Sequence, residues 1–264
     1  NSVKAIELYT EALNNGYQEA ANSIFNLHKK LAKKDNIKEI LELAKCYEQG
    51  IGVEKSDEEA FKLYEIASNA GNSEANFILA ELYRNNRIPD NIVPADTPKE
   101  DFCKTNAFKL YDKASKSGHI EASYQLGLCY QQGYGIKKNY EKAFDSFQQA
   151  FRSGHEQAMF QVAMCYKDGK GVERNETKAL QFLNITSKKG NLDATLNLGI
   201  CYAEATPTSV IKKDEKEAVR LYKIAHKGNN LEATTYLANC YLNGAGVKKK
   251  TEKGLNLLRS ASEQ

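Results

Sequence analysis

A cysteine–tyrosine dipeptide returns along this chain at a nearly fixed interval: Cys46-Tyr47, Cys129-Tyr130, Cys165-Tyr166, Cys201-Tyr202 and Cys240-Tyr241. Cys129, Cys165 and Cys201 are 36 residues apart, and Cys240 follows after 39. The 83 residues between Cys46 and Cys129 hold one more copy, with Leu82 in the cysteine position. A period of this length means stacked supersecondary units, each too small to bury its own apolar face.

The text around each dipeptide repeats as well. "LAKCYEQGIGVEKS" starts at Leu43, "LGLCYQQGYGIKKN" at Leu126, "VAMCYKDGKGVERN" at Val162 and "LANCYLNGAGVKKK" at Leu237. Each copy reads as two helices. In the first, helix A, Ala122, Leu126, Gly127 and Tyr130 stand at helical spacing, matched by Ala158, Val162, Ala163 and Tyr166. A Gly-x-Gly turn follows, then helix B with Ala143, Phe147 and Ala150. The first glycine suits a left-handed end to helix A, and the second a tight reversal. Gly71, Gly118, Gly154, Gly190 and Gly228 are expected as left-handed residues closing each helix B. A phosphate-binding loop needs one such turn after a strand, whereas here four copies follow helices, so a nucleotide site is not expected.

Only four prolines occur, and Pro89, Pro94 and Pro98 fall within ten residues of one another. The remaining sequence is almost free of the residue that most disrupts helices, so the fold class expected is all-α. No apolar run reaches the length of a membrane span. A net charge of +3 is too small to draw nucleic acid by bulk attraction. The first residue is Asn1, not methionine, which is the expectation for a fragment.

The pattern A-x3-L-G-x2-Y-x2-G-x-G-V, then K-A-x3-Y-x2-A-x2-G, resembles the Sel1-like repeat, a relative of the tetratricopeptide repeat. The resemblance runs over residues 37–264. It implies a right-handed α-α superhelix, a solenoid of about six helix pairs forming a single domain over 1–264. It also implies an adaptor role in larger assemblies, with no enzymatic activity, cofactor or metal belonging to the repeat. Family members include partners of ER-degradation ubiquitin ligases, activators of fungal chitin synthases, and bacterial signalling or host-interaction proteins.

Three places depart from the pattern. Residues 87–105 read as an inserted proline-bearing loop, and residues 205–213 replace a Gly-x-Gly turn with "ATPTSVIKK". Residues 1–36 form an irregular first unit. There "KAIELYTEALNNGYQEA" matches a helix B running into a helix A, yet the next helix A begins near Ile37, too soon for the period. Either this unit is degenerate or a loop and helix B are absent near residues 34–37.

Five of the six cysteines share the helix-A slot. Equivalent atoms in neighbouring repeats stand about 10 Å apart, beyond the roughly 7 Å limit for a disulfide, so buried reduced thiols are expected. Cys103, in the first insertion, is the expected reactive exception. A reducing compartment follows, most simply the cytoplasm. His119 and His155 take a position held elsewhere by Asn72, Asn191 and Asn229, which marks a turn residue and not a ligand. Lys137, Lys138, Arg174, Lys212, Lys213 and Lys248 to Lys250 follow the turns and form a basic loop edge that suits an anionic surface.

In related solenoids helix A lines the concave side. The second and sixth residues after the first alanine of each helix A then face the groove. They are Phe77 and Glu81, Tyr124 and Leu128, Phe160 and Met164, Leu196 and Ile200, then Thr235 and Asn239. Arg84, Gln131, Lys167 and Asn243 stand one turn on as a polar margin. These slots vary between units while the packing slots hardly change, as a partner-reading surface requires. The expected function is therefore a protein–protein interaction scaffold that holds a partner's peptide or helix in the groove. The alternative is a regulatory subunit that activates a membrane-bound enzyme, or a ubiquitin-ligase adaptor, working through the basic edge.

Overall fold

The computed structural model describes residues 2–33 and 36–262, with side chains from residue 4. Among these residues there are fourteen α-helices and no strand. The chain divides into two compact units, Asn1–Asn139 and Tyr140–Gln264. The first holds α1 (Ser2–Asn14), α2 (Glu19–Leu31), α3 (Ile37–Gln49), α4 (Asp57–Asn69), α5 (Ser73–Arg84), α6 (Lys99–Lys116) and α7 (Ile120–Gln132). The second holds α8 (Tyr140–Arg152), α9 (Glu156–Asp168), α10 (Glu176–Lys188), α11 (Leu192–Glu204), α12 (Glu215–Lys227), α13 (Leu231–Asn243) and α14 (Thr251–Ser262). Helices A are α3, α5, α7, α9, α11 and α13, and each is followed by its helix B.

Local chemistry sets the helix ends. Asn36, Ser56, Asn72, Asn175, Asn191, Asp214 and Asn230 each accept a hydrogen bond from the backbone N–H three residues on. His119 and His155 do the same through Nδ1, at 3.1 and 3.2 Å, so both are turn residues as expected. Helix A ends on a left-handed glycine at Gly50, Gly133, Gly169 and Gly244. The glycine two residues later has a further reason to be glycine. A Cβ on Gly52, Gly135, Gly171 or Gly246 would overlap the backbone of Ala21, Lys104, Tyr140 or Glu215. The A-to-B turn thus lies directly on the previous helix B. One expected left-handed glycine differs: Gly228 has φ −83° and the positive φ passes to Asn229, at 66°. Asparagine tolerates that conformation better than most residues.

A backbone hydrogen bond closes the A-to-B connection, from Ser56 to Tyr47, Asn139 to Tyr130, Asn175 to Tyr166 and Lys250 to Tyr241. Asp214 makes the same bond to Tyr202, so the 205–213 insertion is an excursion from a loop closed in the usual place. The first insertion is shorter than the sequence suggests. Residues 99–105 belong to α6, which starts after Pro98 with Glu100 and Asp101 in its first turn, where acidic side chains favour a helix. Cys103 is therefore not a loop residue; it is 4% exposed in the core.

Each joint between helix B and the next helix A uses two recurring contacts. One is an edge-to-face aromatic pair: Phe61 with Tyr83, Phe108 with Tyr130, and Phe144 with Tyr166, at 5.7, 5.3 and 5.4 Å. The other is a polar bridge across eight residues: Ser68–Asn76, Ser115–Ser123, Ser187–Thr195 and His226–Thr234, at 2.6 to 2.8 Å. Ser68, Asn76, Ser115 and Ser123 are buried, so their bridges pair oxygens that burial would otherwise leave unsatisfied, although Asn76 Nδ2 still lacks a partner among the described residues.

The N-terminal helices are ordered differently from the sequence expectation. Helix α2 takes the helix-B position, not that of a helix A. Phe25 meets Tyr47 edge-to-face at 5.4 Å, as Phe61 meets Tyr83. Gly52 lies on Ala21, which precedes Ile24 by the same three residues that separate Lys104 from Ala107 and Glu215 from Ala218. Ile37 starts early because α2 already supplies the helix B before it. Residues 34 and 35, where a missing segment was one expectation, lie outside the described residues.

Candidate functional site

In the first unit, the expected groove residues fall into two groups. Phe77 packs inward, stacked on His119 at 4.5 Å and tilted against Tyr111 at 6.2 Å. Glu81 accepts a hydrogen bond from the buried Tyr111 hydroxyl, and burial together with that carboxylate pushes the phenol's pKa up. Both residues are thus engaged in the joint. Tyr124, Leu128 and Gln131 on α7 are half-buried, and Arg84 on α5 is exposed.

In the second unit, Phe160 and Met164 are half-buried and rest on a cluster that includes Ala163, Leu183 and Ala194. Asn239 is exposed. Leu196 and Ile200 do not line an open face. They are 1% and 8% exposed and belong to the core with Ala218, Val219 and Tyr222. The cause is Tyr236, which packs against this cluster and lies 5.3 Å from Tyr222. Gln125, Gln161 and Asn197 hold the equivalent position on α7, α9 and α11, so in the second unit only α13 carries a large apolar lid there; in the first unit Ile78 on α5 is the apolar counterpart.

That position has a second role which the sequence reading missed. Arg84 donates to Gln125 Oε1 at 2.6 Å, and Lys167 donates to Asn197 Oδ1 at 2.8 Å. Each bond runs from two residues after the cysteine slot of one helix A to four residues before the cysteine slot of the next. The margin residues Arg84 and Lys167 therefore strut neighbouring A helices within their units. The signal was present as a polar residue recurring four positions before the cysteine, where a packed helix pair would otherwise place an apolar one.

The cysteine slot is largely core. Cys46, Cys129 and Cys165 are buried, Cys201 and Cys240 half-buried, and all six thiols are free. Burial raises their pKa values, to about 11 for Cys46 and Cys165 and about 12 for Cys129. Such thiols are poor nucleophiles. On the loops, Lys137, Lys138, Lys212 and Lys248 to Lys250 are exposed, while Lys213 pairs with Glu215 at 2.9 Å. No helix among the described residues is long and apolar enough to cross a membrane.

Comparison with known proteins accords with these repeats. The Sel1 repeat family model matches residues 1–17, 40–72, 73–119, 120–155, 156–191, 192–230 and 231–264. The chain belongs to the Sel1 repeat family. The unmatched residues 18–39 hold α2 and the start of α3, where the helix order departs from the period. A Sel1 repeat protein from Oxalobacter formigenes is 27% identical, with a TM-score of 0.73 over 98% of this chain and 96% of its own. A protective antigen from uropathogenic Escherichia coli displaying an SLR fold is 22% identical, with a TM-score of 0.78, and shows likeness of fold. All of this chain aligns with it but spans only 54% of that protein's length. No curated protein matches the chain. Sel1 repeat proteins generally mediate protein–protein interaction and are typically non-enzymatic, and this chain has the α-solenoid fold class of that family, with six to seven repeats.

Proposed function

We propose that the exposed faces of the A helices bind a segment of a partner protein, a peptide or a helix. In the first unit the apolar contacts are Tyr124 and Leu128, flanked by Gln131 and Arg84. In the second they are Phe160 and Met164, flanked by Lys167 and Asn239. One observation carries this reading. Within each repeat the slots that pack are nearly invariant and fully buried, such as Ala122, Ala158, Ala194 and Ala233 at 0% exposure. The half-buried slots beside them change from Tyr124 to Phe160 and from Leu128 to Met164. Variation at half-buried positions on a fixed alanine framework suits selection of a partner.

Half-buried aromatic and aliphatic side chains on a rigid scaffold make good anchors, because little rotamer freedom remains to be lost on binding. The struts from Arg84 and Lys167 fix α7 against α5 in the first unit and α9 against α11 in the second, so within each unit the anchors stand on a held helix. A photo-crosslinking side chain placed at Tyr124 or Phe160 tests the reading. The expected result is a discrete crosslinked partner from these positions and little from Lys137 on the loop edge. The reverse ranking would move the site to the basic loops.

A further inference from the structure

The first joint of the stack contains an irregularity that the A-helix face does not explain. In every later joint one helix-B slot is a large, fully buried side chain: Tyr64, Tyr111, Phe147, Leu183 and Tyr222 are 0 to 2% exposed. The facing helix-A slot is alanine at 0%: Ala75, Ala122, Ala158, Ala194 and Ala233. With α2 in the helix-B position, the corresponding residues of the first joint are His28 and Glu39. They are 6% and 8% exposed, and Nδ1 of His28 lies 2.6 Å from Oε2 of Glu39. A bulky buried slot and an alanine slot have become an ionisable pair.

A cavity of about 410 Å³ opens between α1, α2 and α3, its apolar lining Ile6, Leu13, Ile24 and Ile51, the rest mostly polar side chains that include His28 and Glu39. This lies within the usual range of ligand sites, about 300 to 1,000 Å³. Burying a polar His–Glu pair costs desolvation energy that a tyrosine and an alanine would not incur, so the pair is a poor device for stability alone. Glu39 engages Nδ1 of His28, so Nε2 is the ring nitrogen with hydrogen-bonding capacity to spare. Nε2 has no other partner among the described residues and is the nitrogen left to meet a ligand.

We infer that this cavity is a binding site for a phenolic ring, the group that fills the same slot elsewhere in the chain. Tyr64 and Tyr111 show the arrangement covalently, each with its ring in the joint and its hydroxyl donating to a carboxylate, Glu48 or Glu81. In the first joint a bound phenol would place its ring among Ile6, Leu13 and Ile24 and hydrogen-bond its hydroxyl to Nε2 of His28. Glu39 acts as a positioning residue that holds the imidazole through Nδ1. Two sources share this chemistry: a small free phenol, and a tyrosyl side chain of another protein.

The experiment is a titration of the ¹⁵N-labelled protein with p-cresol, toluene and N-acetyl-tyrosinamide, followed by NMR. Saturable shifts in α1, α2 and α3 with p-cresol are expected. Toluene, which leaves Nε2 unpaired, should bind at least about tenfold more weakly. His28→Tyr, which restores the side chain of the other joints, should abolish p-cresol binding and melt no lower than the unsubstituted protein. Leu13→Phe, filling the cavity from α1, should block binding with His28 in place. Binding of p-cresol but not N-acetyl-tyrosinamide assigns a free phenol, and binding of both assigns a tyrosyl side chain. No saturable shift with p-cresol, equal binding of toluene, or undiminished binding in both filled variants would overturn the proposal.

Discussion

Gly171→Ala should separate two reasons for glycine that occur together in these turns. Gly171 has φ +75°, and a Cβ there would overlap the carbonyl of Tyr140 and the amide of Glu141. Gly154 has φ +95°, but a Cβ there meets nothing within 4 Å. Gly154→Ala should therefore cost only the left-handed strain, about 1–2 kcal/mol, less about 0.4–1 kcal/mol returned by stiffening the unfolded chain. Gly171→Ala bears the same strain and must also push the turn off α8, at roughly the 1–3 kcal/mol of an overpacked contact. Both variants can be measured by urea denaturation, with the slope checked for two-state behaviour. The expected excess loss at Gly171 is about 1 kcal/mol or more. Equal losses would mean that the turn does not rest on the previous helix B, and the register assigned to every joint would be wrong.

Three further outcomes follow from burial. Leu196→Ala should lose about 2–5 kcal/mol of stability, whereas Met164→Ala, half-buried, should lose much less. Thermal melts that rank them the other way would return Leu196 to the exposed face. The buried thiols predict alkaline loss of stability. Their folded pKa values, about 11 for Cys46 and Cys165 and about 12 for Cys129, lie above the ordinary 9.0, so the unfolded chain releases protons first. The contribution is complete below pH 9 and falls as the pH rises toward 12, by up to about 1.4 kcal/mol per pH unit for each thiol. Denaturation midpoints that are flat between pH 9 and 11 would show these thiols to be solvated. In native thiol labelling, Cys201 and Cys240 should react before Cys46, Cys103, Cys129 and Cys165, and fast reaction at Cys129 would contradict its burial.

The repeat was legible because its signals are local: a cysteine–tyrosine pair, a Gly-x-Gly turn and alanines at helical spacing leave little freedom in assigning helices A and B. Where the reading failed, the deciding contact lay outside the unit being read. Leu196 and Ile200 occupy the groove slots by spacing, yet Tyr236 of the next helix A covers their cluster. Cys103 lies in what looks like an insertion, yet α6 extends back to Lys99 and carries it into the core. Helix α2 has no tyrosine or alanine signature of a helix B. Its place is set by Phe25 against Tyr47 and by Gly52 against Ala21, contacts that follow from packing and not from spacing. The struts from Arg84 to Gln125 and from Lys167 to Asn197 join residues 41 and 30 positions apart, beyond what any single helix pattern reveals.

The central claim is that variable A-helix side chains, and not the basic loops, recognise a partner. Affinity purification followed by quantitative mass spectrometry should compare the unsubstituted chain with Tyr124→Ala/Phe160→Ala and with Lys137→Glu/Lys138→Glu. Melts of all three proteins should be recorded alongside. Buried anchors cost about 2 kcal/mol or more when truncated, so the aromatic variant should retain its fold and recover at least about thirtyfold less partner. The lysine variant should recover nearly the full amount. Undiminished recovery by a folded aromatic variant, with recovery lost in the lysine variant, would contradict the account.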